Sequence, residues 1–206
     1  MNRFSALLSA ALVICVTGCG ETRTSAIDGL HGVKFAPPHA KPDFTLDDTQ
    51  GKPFHFASET HGLVTLVYFG YTNCPDVCPT HLANISAALK KLSAEEQSKV
   101  RFVFVTTDPN RDTPERLRSW LDNFDKRFIG VRGGLDSVNA IGARFGLPPA
   151  TIEPMNHMAG PQANYGMGHG AQVLAFSADD SLRTEYPSGF TVSDWVNDIP
   201  KLAKIR

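Results

Sequence analysis

Two cysteines, Cys74 and Cys78, lie four positions apart in the segment CPDVCP, and a proline follows each of them. In a helical segment the rise and radius of the α-helix would place their Cα atoms about 6 Å apart on one face. That separation allows a disulfide, and it also allows both sulfurs to bind one soft metal ion. A disulfide closing so short a loop would stabilise the fold little. The spacing therefore favours chemistry, either a redox couple or a thiolate metal site.

The cysteine motif lies between two segments with different apolar patterns. The run LVTLVYFGY (63–71) is almost entirely apolar and is typical of a central strand that is covered on both sides. Beyond Cys78, aliphatic residues recur every three or four positions, which indicates a helix. The cysteines are thus predicted at a strand-to-helix junction, where unpaired amides and the helix dipole stabilise a thiolate.

A metal site at this junction needs further ligands, and the seven histidines are the candidates. Two thiolates and one imidazole leave a tetrahedral zinc site incomplete, whereas Cu(I) accepts that set. His169 directly precedes the apolar run AQVLAF, a predicted strand whose start is expected near the cysteines. His81, one turn past Cys78, is predicted on the flank of the helix, and His157 in a long loop.

The N-terminal segment reads as a targeting signal. Arg3 is followed by the uncharged stretch FSALLSAALVICVTG, which is too short to span a bilayer. It ends in VTGC, the pattern of a bacterial lipoprotein signal, so we predict removal of residues 1–18 and lipidation of Cys19. The alternative is a cleaved secretory signal with Cys19 incidental. Under both alternatives the compartment is extracytoplasmic, on the periplasmic side, where disulfides persist. If Cys19 is lipidated, the lipid would anchor the protein to the membrane.

The remaining chain predicts one domain after a flexible tether. Residues 19–41 lack apolar periodicity and end Pro-rich, whereas residues 42–206 alternate strand and helix patterns between a hairpin at 43–56 and another at 170–186. This order predicts an α/β fold with a mostly parallel central sheet, an antiparallel edge hairpin, helices on both faces and an N-terminal β-hairpin. The formal net charge of −1 excludes the basic surface that nucleic-acid binding requires.

Three segments together resemble the Sco/SenC family: VYFGYTNCPDVCPTHLANI, FVTTDPNRDTPERLRSWLDNF and the histidine before the final hairpin. The resemblance covers about residues 42–203. It implies a membrane-tethered protein with a thioredoxin-like fold that binds copper, as Cu(I) or Cu(II), and helps to assemble the dinuclear copper centre of cytochrome c oxidase. It also implies copper ligation by Cys74, Cys78 and His169, and a redox-active Cys74–Cys78 disulfide. The expected partners are the copper-bearing oxidase subunit and, further, other copper chaperones or thioredoxin-like reductases.

Two aspartates match the family pattern near the site, Asp108 and Asp112. We interpret them locally: Asp112 would cap a helix that begins near Thr113, and Asp108 would close the turn before Pro109.

The sequence also departs from the family pattern close to His169. Gly168 stands where the family usually has an aspartate, so a carboxylate beside the ligand histidine is missing. Met155, Met158 and Met167 lie in the preceding segment, where their thioethers would either recruit Cu(I) or fill gaps in a Gly-rich loop.

Two functions from different classes use the same cysteines. The first is a copper-binding assembly factor, and the alternative is an extracytoplasmic thiol–disulfide oxidoreductase that uses Cys74 and Cys78 without metal. A thiol peroxidase is a third possibility, but the sequence shows no motif that would position peroxide. His169 separates the first two, because dithiol exchange needs no imidazole ligand.

Overall fold

The computed structural model of the protein describes residues 29–154 and 165–206. Within these residues the strands are β1 Val33–Ala40, β2 Thr45–Asp48, β3 Pro53–His55, β4 Val64–Gly70, β5 Val100–Thr106, β6 Ile129–Arg132, β7 Thr151–Pro154, β8 Tyr165–Gly168, β9 Val173–Phe176 and β10 Ser181–Tyr186. The helices are α1 Phe56–Glu59, α2 Val77–Leu89, α3 Ala94–Ser98, α4 Pro114–Asp122, α5 Leu135–Arg144 and α6 Val192–Leu202.

Eight strands form the main sheet in the order β1-β10-β9-β4-β5-β6-β2-β3. The central strands β4, β5 and β6 are parallel, and antiparallel strands flank them on both sides. Every residue of β4 is buried, as its continuous apolar sequence predicts. The predicted parallel centre, the β9–β10 hairpin at one side and the β2–β3 hairpin at the other are all confirmed.

Helices cover both faces of the sheet, because β4 sends alternate side chains to opposite sides. Leu66 and Tyr68 belong to a core that packs against α2, α4 and α6. Val67 and Phe69 belong to a second core that packs against α1 and α5. The predicted helices on both faces are therefore confirmed, and the cysteine helix α2 lies on the same face as Tyr68.

The predicted tether is wrong for part of its length. Residues 33–40 form β1, which pairs with β10 in antiparallel register, for example Val33 with Glu185 and His39 with Leu182. Its prolines suggested a linker, but β1 is an edge strand with a register irregularity, and such a strand tolerates proline. The folded domain thus includes β1, while Cys19 and the predicted signal peptide lie outside the described residues.

A small second sheet was not predicted. Strands β7 and β8 pair in antiparallel fashion and stand apart from the eight-stranded sheet. Four-residue strands that enclose a long Gly-rich and Met-rich segment show too little alternation to be recognised from sequence. This sheet matters for the site because β8 ends at Gly168, directly before His169.

Candidate metal centre

The two cysteines lie where the central strand β4 passes into helix α2. The helix begins at Val77, so Cys78 is in its first turn and Cys74 is in the loop before it. The condition for both cysteines to share one helical face is therefore not met, because only Cys78 lies within the helix. The loop turns back so that the amide of Cys78 faces the Cys74 sulfur at 3.5 Å. A helix N-terminal amide thus donates to the sulfur of Cys74, as the strand-to-helix junction predicts.

The two thiols have opposite electrostatic environments. The hydrogen bond from Cys78, with the backbone amides of Cys78, Asp76 and Val77, lowers the pKa of Cys74 to about 5. The same hydrogen bond to Cys74, together with burial, raises the pKa of Cys78 far above its usual range. Both cysteines are free thiols in the structure, with Cys74 half-buried and Cys78 buried. The pair therefore shares one negative charge, which lies on the more accessible sulfur.

Strand β4 forms the floor under Cys78. The hydroxyl of Tyr68 donates to the Cys78 sulfur at 3.4 Å. A Cβ placed on Gly70 would lie 3.0 Å from that sulfur and 2.8 Å from the Tyr68 ring, so glycine is needed for the sulfur to reach the strand. Neither residue was singled out from the sequence. Their spacing of two within a strand, which puts both on one face, is the signal that could have identified them.

His169 lies in the connection between β8 and β9, beside the dithiol. Its Nδ1 is 2.9 Å from the carbonyl oxygen of Gly170. Because a carbonyl only accepts, Nδ1 carries the proton, and Nε2 is left with a free lone pair. The edge-on rings of Tyr71, at 5.8 Å, and Tyr68, at 6.3 Å, pack against the imidazole. The histidine is thus held in a tautomer that leaves Nε2 available to a metal.

The three predicted ligands share a region without converging on one point. Nowhere in residues 29–154 and 165–206 do three histidine, cysteine or acidic side chains come close enough together to hold an ion. Two soft sulfurs and an imidazole with a free Nε2 nevertheless form a donor set that suits copper. Ligation by all three requires the imidazole of His169 to approach the sulfurs.

His81 proves to be a buried packing residue and not the helix-flank residue that the sequence predicts. Its Nε2 is 3.1 Å from the carbonyl oxygen of Ala171, and its ring packs 5.1 Å from that of Tyr68. Burial lowers the pKa of the imidazole, so the neutral form is favoured. The Nε2 nitrogen of His81 thus donates to the backbone that follows His169, and the neutral ring packs within the core.

The methionine-rich segment is described only in part. Met155, Met158 and His157 lie outside the described residues. Met167 is buried in β8 and belongs to the core on the α2 face, which agrees with the gap-filling interpretation for this one residue.

The two aspartates act at longer range than predicted. The carboxylate of Asp112 is buried and accepts from the amide of Thr72 at 3.1 Å, and from the hydroxyls of Thr72 and Thr106 at 2.6 Å each. Burial raises its pKa. The prediction that Asp112 caps α4 is wrong, because the hydroxyl of Thr113 accepts from the first turn instead. Asp108 does close the turn, through its backbone carbonyl, which accepts from the amide of Asp112 at 2.9 Å.

Nothing in the described residues bears on the predicted lipid anchor directly. No helix in this part of the chain is both long and apolar enough to cross a bilayer.

Comparison with known proteins places this geometry in a family. The family model described as SCO1/SenC matches residues 34–204. A candidate copper-binding protein of Stutzerimonas stutzeri is 30% identical over 180 residues, which span 86% of this chain and 83% of the relative.

Two solved structures support the same assignment. Apo Sco1 of Thermus thermophilus has a TM-score of 0.71 at 30% identity and covers 83% of this chain and 95% of that chain. ScoI of Bradyrhizobium japonicum, solved with copper bound, has a TM-score of 0.68 at 28% identity and covers 79% of this chain and 99% of that chain. The predicted Sco-type, thioredoxin-like α/β fold is confirmed, and the chain belongs to the SCO1/SenC family.

Proposed function

We propose that this protein is a copper-binding assembly factor that holds copper through Cys74, Cys78 and His169. Its recipient would be the copper-bearing subunit of cytochrome c oxidase. The observation that carries the proposal is the pairing of a hydrogen-bonded dithiol with an imidazole whose Nε2 is free. Copper in the Bradyrhizobium ScoI structure supports the choice of metal.

The dithiol is built to receive a soft cation. The amide at the start of α2 donates to Cys74, and Tyr68 donates to Cys78, so both sulfurs are oriented before an ion arrives. Preorganisation of this kind reduces the cost of ordering the ligands on binding. Copper bound here would be cargo. The site must bind the ion tightly enough to keep water from replacing the ligands, and it must release the ion to a site with more or better ligands.

We also propose that the protein works at the outer face of a membrane, with residues 1–18 removed and Cys19 lipidated. The sequence pattern VTGC supports this proposal. Intact-mass measurement of protein extracted from membranes tests it. The expected mass is that of a chain beginning at a lipid-bearing Cys19, and a mature chain that begins elsewhere without lipid would overturn the proposal.

A thiol–disulfide oxidoreductase remains the second candidate because the thiols differ in access. Half-buried Cys74 carries the thiolate, and buried Cys78 keeps its proton. This is the division of roles that exchange requires: the accessible thiolate attacks the target disulfide, and the protected thiol then displaces the reduced target and closes a Cys74–Cys78 disulfide.

One experiment separates the two candidates. Cu(I) is titrated anaerobically into the reduced purified protein in competition with a Cu(I) chelator. His169→Ala should lower the copper affinity by at least about 10-fold, the smaller loss typical of disturbing even the support of a ligand, and disulfide formation should persist. His55→Ala is the matched control, because this exposed imidazole bonds only Thr45 among the described residues. Unchanged affinity in His169→Ala would favour the oxidoreductase.

A further inference from the structure

The turn that follows β5, residues 108–112, touches both halves of the candidate centre. On the cysteine side, the buried carboxylate of Asp112 binds the amide and hydroxyl of Thr72. Thr72 lies in the loop two residues before Cys74. The turn therefore fixes the path of the chain into the dithiol.

On the histidine side, the same turn contacts three parts of Tyr165: its ring, its backbone carbonyl and its hydroxyl. The guanidinium carbon of Arg111 lies 3.5 Å from the centroid of the Tyr165 ring. Its Nη1 donates to the carbonyl oxygen of Tyr165 at 3.0 Å, and its Nε donates to the carboxylate of Asp108. The Tyr165 hydroxyl completes the arrangement by donating to Asp108 at 2.8 Å. Ring, backbone and hydroxyl of Tyr165 are all bound to this turn.

Tyr165 leads to His169 by two routes. It is the first residue of β8, and this four-residue strand ends immediately before His169. The Arg111 guanidinium also faces the ring of Tyr71 at 5.8 Å, and Tyr71 packs edge-on against the imidazole of His169 at the same distance. The position of Arg111 is therefore linked to that of His169 both through strand β8 and through the ring of Tyr71.

The main sheet does not fix this strand. β8 pairs with β7 in a two-stranded sheet separate from the eight-stranded one. A short isolated pair of strands has little stability of its own. Met167 anchors the middle of β8 in the core, and the contacts of Tyr165 with the turn hold the start of the strand. A stacked arginine in a charge-assisted hydrogen bond is suited to that role.

We propose that Arg111 and Tyr165 are positioning residues for His169: their stack holds β8 so that the imidazole stays within reach of the dithiol. The proposal rests on copper ligation by His169. It predicts that the two residues change copper binding only through that histidine.

A double-mutant cycle tests this directly. Cu(I) affinity is measured by anaerobic chelator competition for the full-length protein, Arg111→Gln, His169→Ala and the double variant. Arg111→Gln should lower the affinity by about 10-fold, as expected for a residue that orients a ligand. In the His169→Ala background the same change should alter it by less than about twofold, because the residue through which it acts is gone. An equal loss in both backgrounds would overturn the proposal, as would no loss in either.

Three further variants separate positioning from general stability. Arg132→Gln removes another arginine that binds this turn, through the Pro109 carbonyl at 3.0 Å, and it should leave copper affinity unchanged. Tyr165→Leu should reproduce the loss seen in Arg111→Gln, whereas Tyr165→Phe keeps the stacked ring and should lose less. A loss in Arg132→Gln as large as that in Arg111→Gln would mean that the turn acts only through the fold.

A copper-free measurement keeps this proposal distinct from the proposed function. In the nitrogen-edited NMR spectrum of histidine side chains, His169 should give one sharp set of signals in the parent protein and broadened or doubled signals in Arg111→Gln. If the parent protein fails to bind copper, the proposed function fails while these spectra still decide whether Arg111 orders the imidazole. Identical His169 signals in the two proteins would overturn the proposal.

Discussion

The candidate centre has two arms, which are built very differently. The cysteine arm is β4 and the loop into α2, which carry Cys74 and Cys78, and the histidine arm is β8 with His169. The cysteine arm leaves the middle of a parallel sheet and enters a helix, and its donors and sulfurs are linked by hydrogen bonds. The histidine arm leaves a two-stranded sheet, and beyond its own backbone bond the imidazole meets aromatic edges. The difference teaches that the dithiol is preorganised, whereas His169, the third ligand of the proposed copper site, would have to adjust for copper to bind.

This asymmetry suits a protein that both takes up and releases an ion. Two sulfurs held by direct hydrogen bonds can retain copper while an imidazole that is positioned through its strand and aromatic contacts joins or leaves. In the proposed function, the imidazole would then govern access by a recipient's ligands. The predictions below test this comparison from the cysteine arm first, because it is expected to carry the larger share of the affinity.

The largest effect is expected from the sulfurs. Cys74→Ser and Cys78→Ser should each lower the Cu(I) affinity by more than about 100-fold, beyond the range for residues that only support a ligand, because each removes a soft donor. Chelator competition under reducing conditions measures the loss, and Thr80→Ala on the exposed side of the same helix is the control. A smaller loss in either serine variant than in His169→Ala would reverse the proposed ranking of the arms.

A steric change beneath the cysteine arm should come next. Gly70→Ala would place a methyl group 3.0 Å from the Cys78 sulfur and 2.8 Å from the Tyr68 ring. Overpacking of this kind costs about 1–3 kcal/mol of unfolding free energy, and it should also weaken copper binding by displacing the sulfur.

The matched control for this change is Gly142→Ala. A Cβ there meets its nearest neighbour at 3.8 Å, which is ordinary contact, and the residue lies within helix α5. Its unfolding free energy should be unchanged or higher, since alanine favours a helix. Chemical denaturation of both variants decides the matter. Equal stability of the two would show that Cys78 does not need the space above Gly70.

The sequence predicted the cysteine arm better than the histidine arm, for a physical reason. Strand β4 and the helix stripe carry strong local periodicities, and the cysteines lie between them. His169 could be selected by its place before an apolar run, but the pairing of β7 with β8 and the stack of Arg111 on Tyr165 join residues far apart in the chain. No local sequence pattern indicates such contacts.

The errors have the same origin. Asp112 looked like a helix cap because it lies just before Thr113, the N-cap of α4, yet its partner Thr72 lies 40 residues earlier. The prolines of β1 suggested a tether because nothing in that segment shows the strand β10 against which it pairs. Tertiary partners decided both cases, and a single sequence does not display them.

The unequal thiols predict a distinctive pH profile. With a pKa of about 5, Cys74 is a thiolate through the neutral range, so its alkylation by iodoacetamide should rise with a midpoint near pH 5 and then level off. Unfolded protein should react with a midpoint near the ordinary cysteine pKa, about 8.5. The midpoint is the diagnostic and not the rate at pH 7, because a thiolate of low pKa is also a weaker nucleophile.

Mass spectrometry of the alkylated protein identifies which sulfur reacts. Cys78 should remain unmodified while the fold persists, since it is buried and its pKa is raised. A midpoint near 8.5 for Cys74 in the folded protein, or modification of Cys78 at the same rate, would contradict the division of charge between the two thiols.

The smallest effect is expected from Tyr68→Phe, which removes a single hydrogen bond to sulfur. The hydroxyl donates to Cys78 at 3.4 Å, and one such bond is worth about 1 kcal/mol, or roughly a fivefold change in affinity. Copper affinity should fall by no more than that amount while the ring continues to pack against His169. Tyr186→Phe offers the contrasting control, because its hydroxyl donates to the buried Asp198 of α6. It should lower the unfolding free energy without changing copper affinity. A loss in Tyr68→Phe as large as that in His169→Ala would contradict the proposed ranking, in which the hydroxyl contributes less than the imidazole.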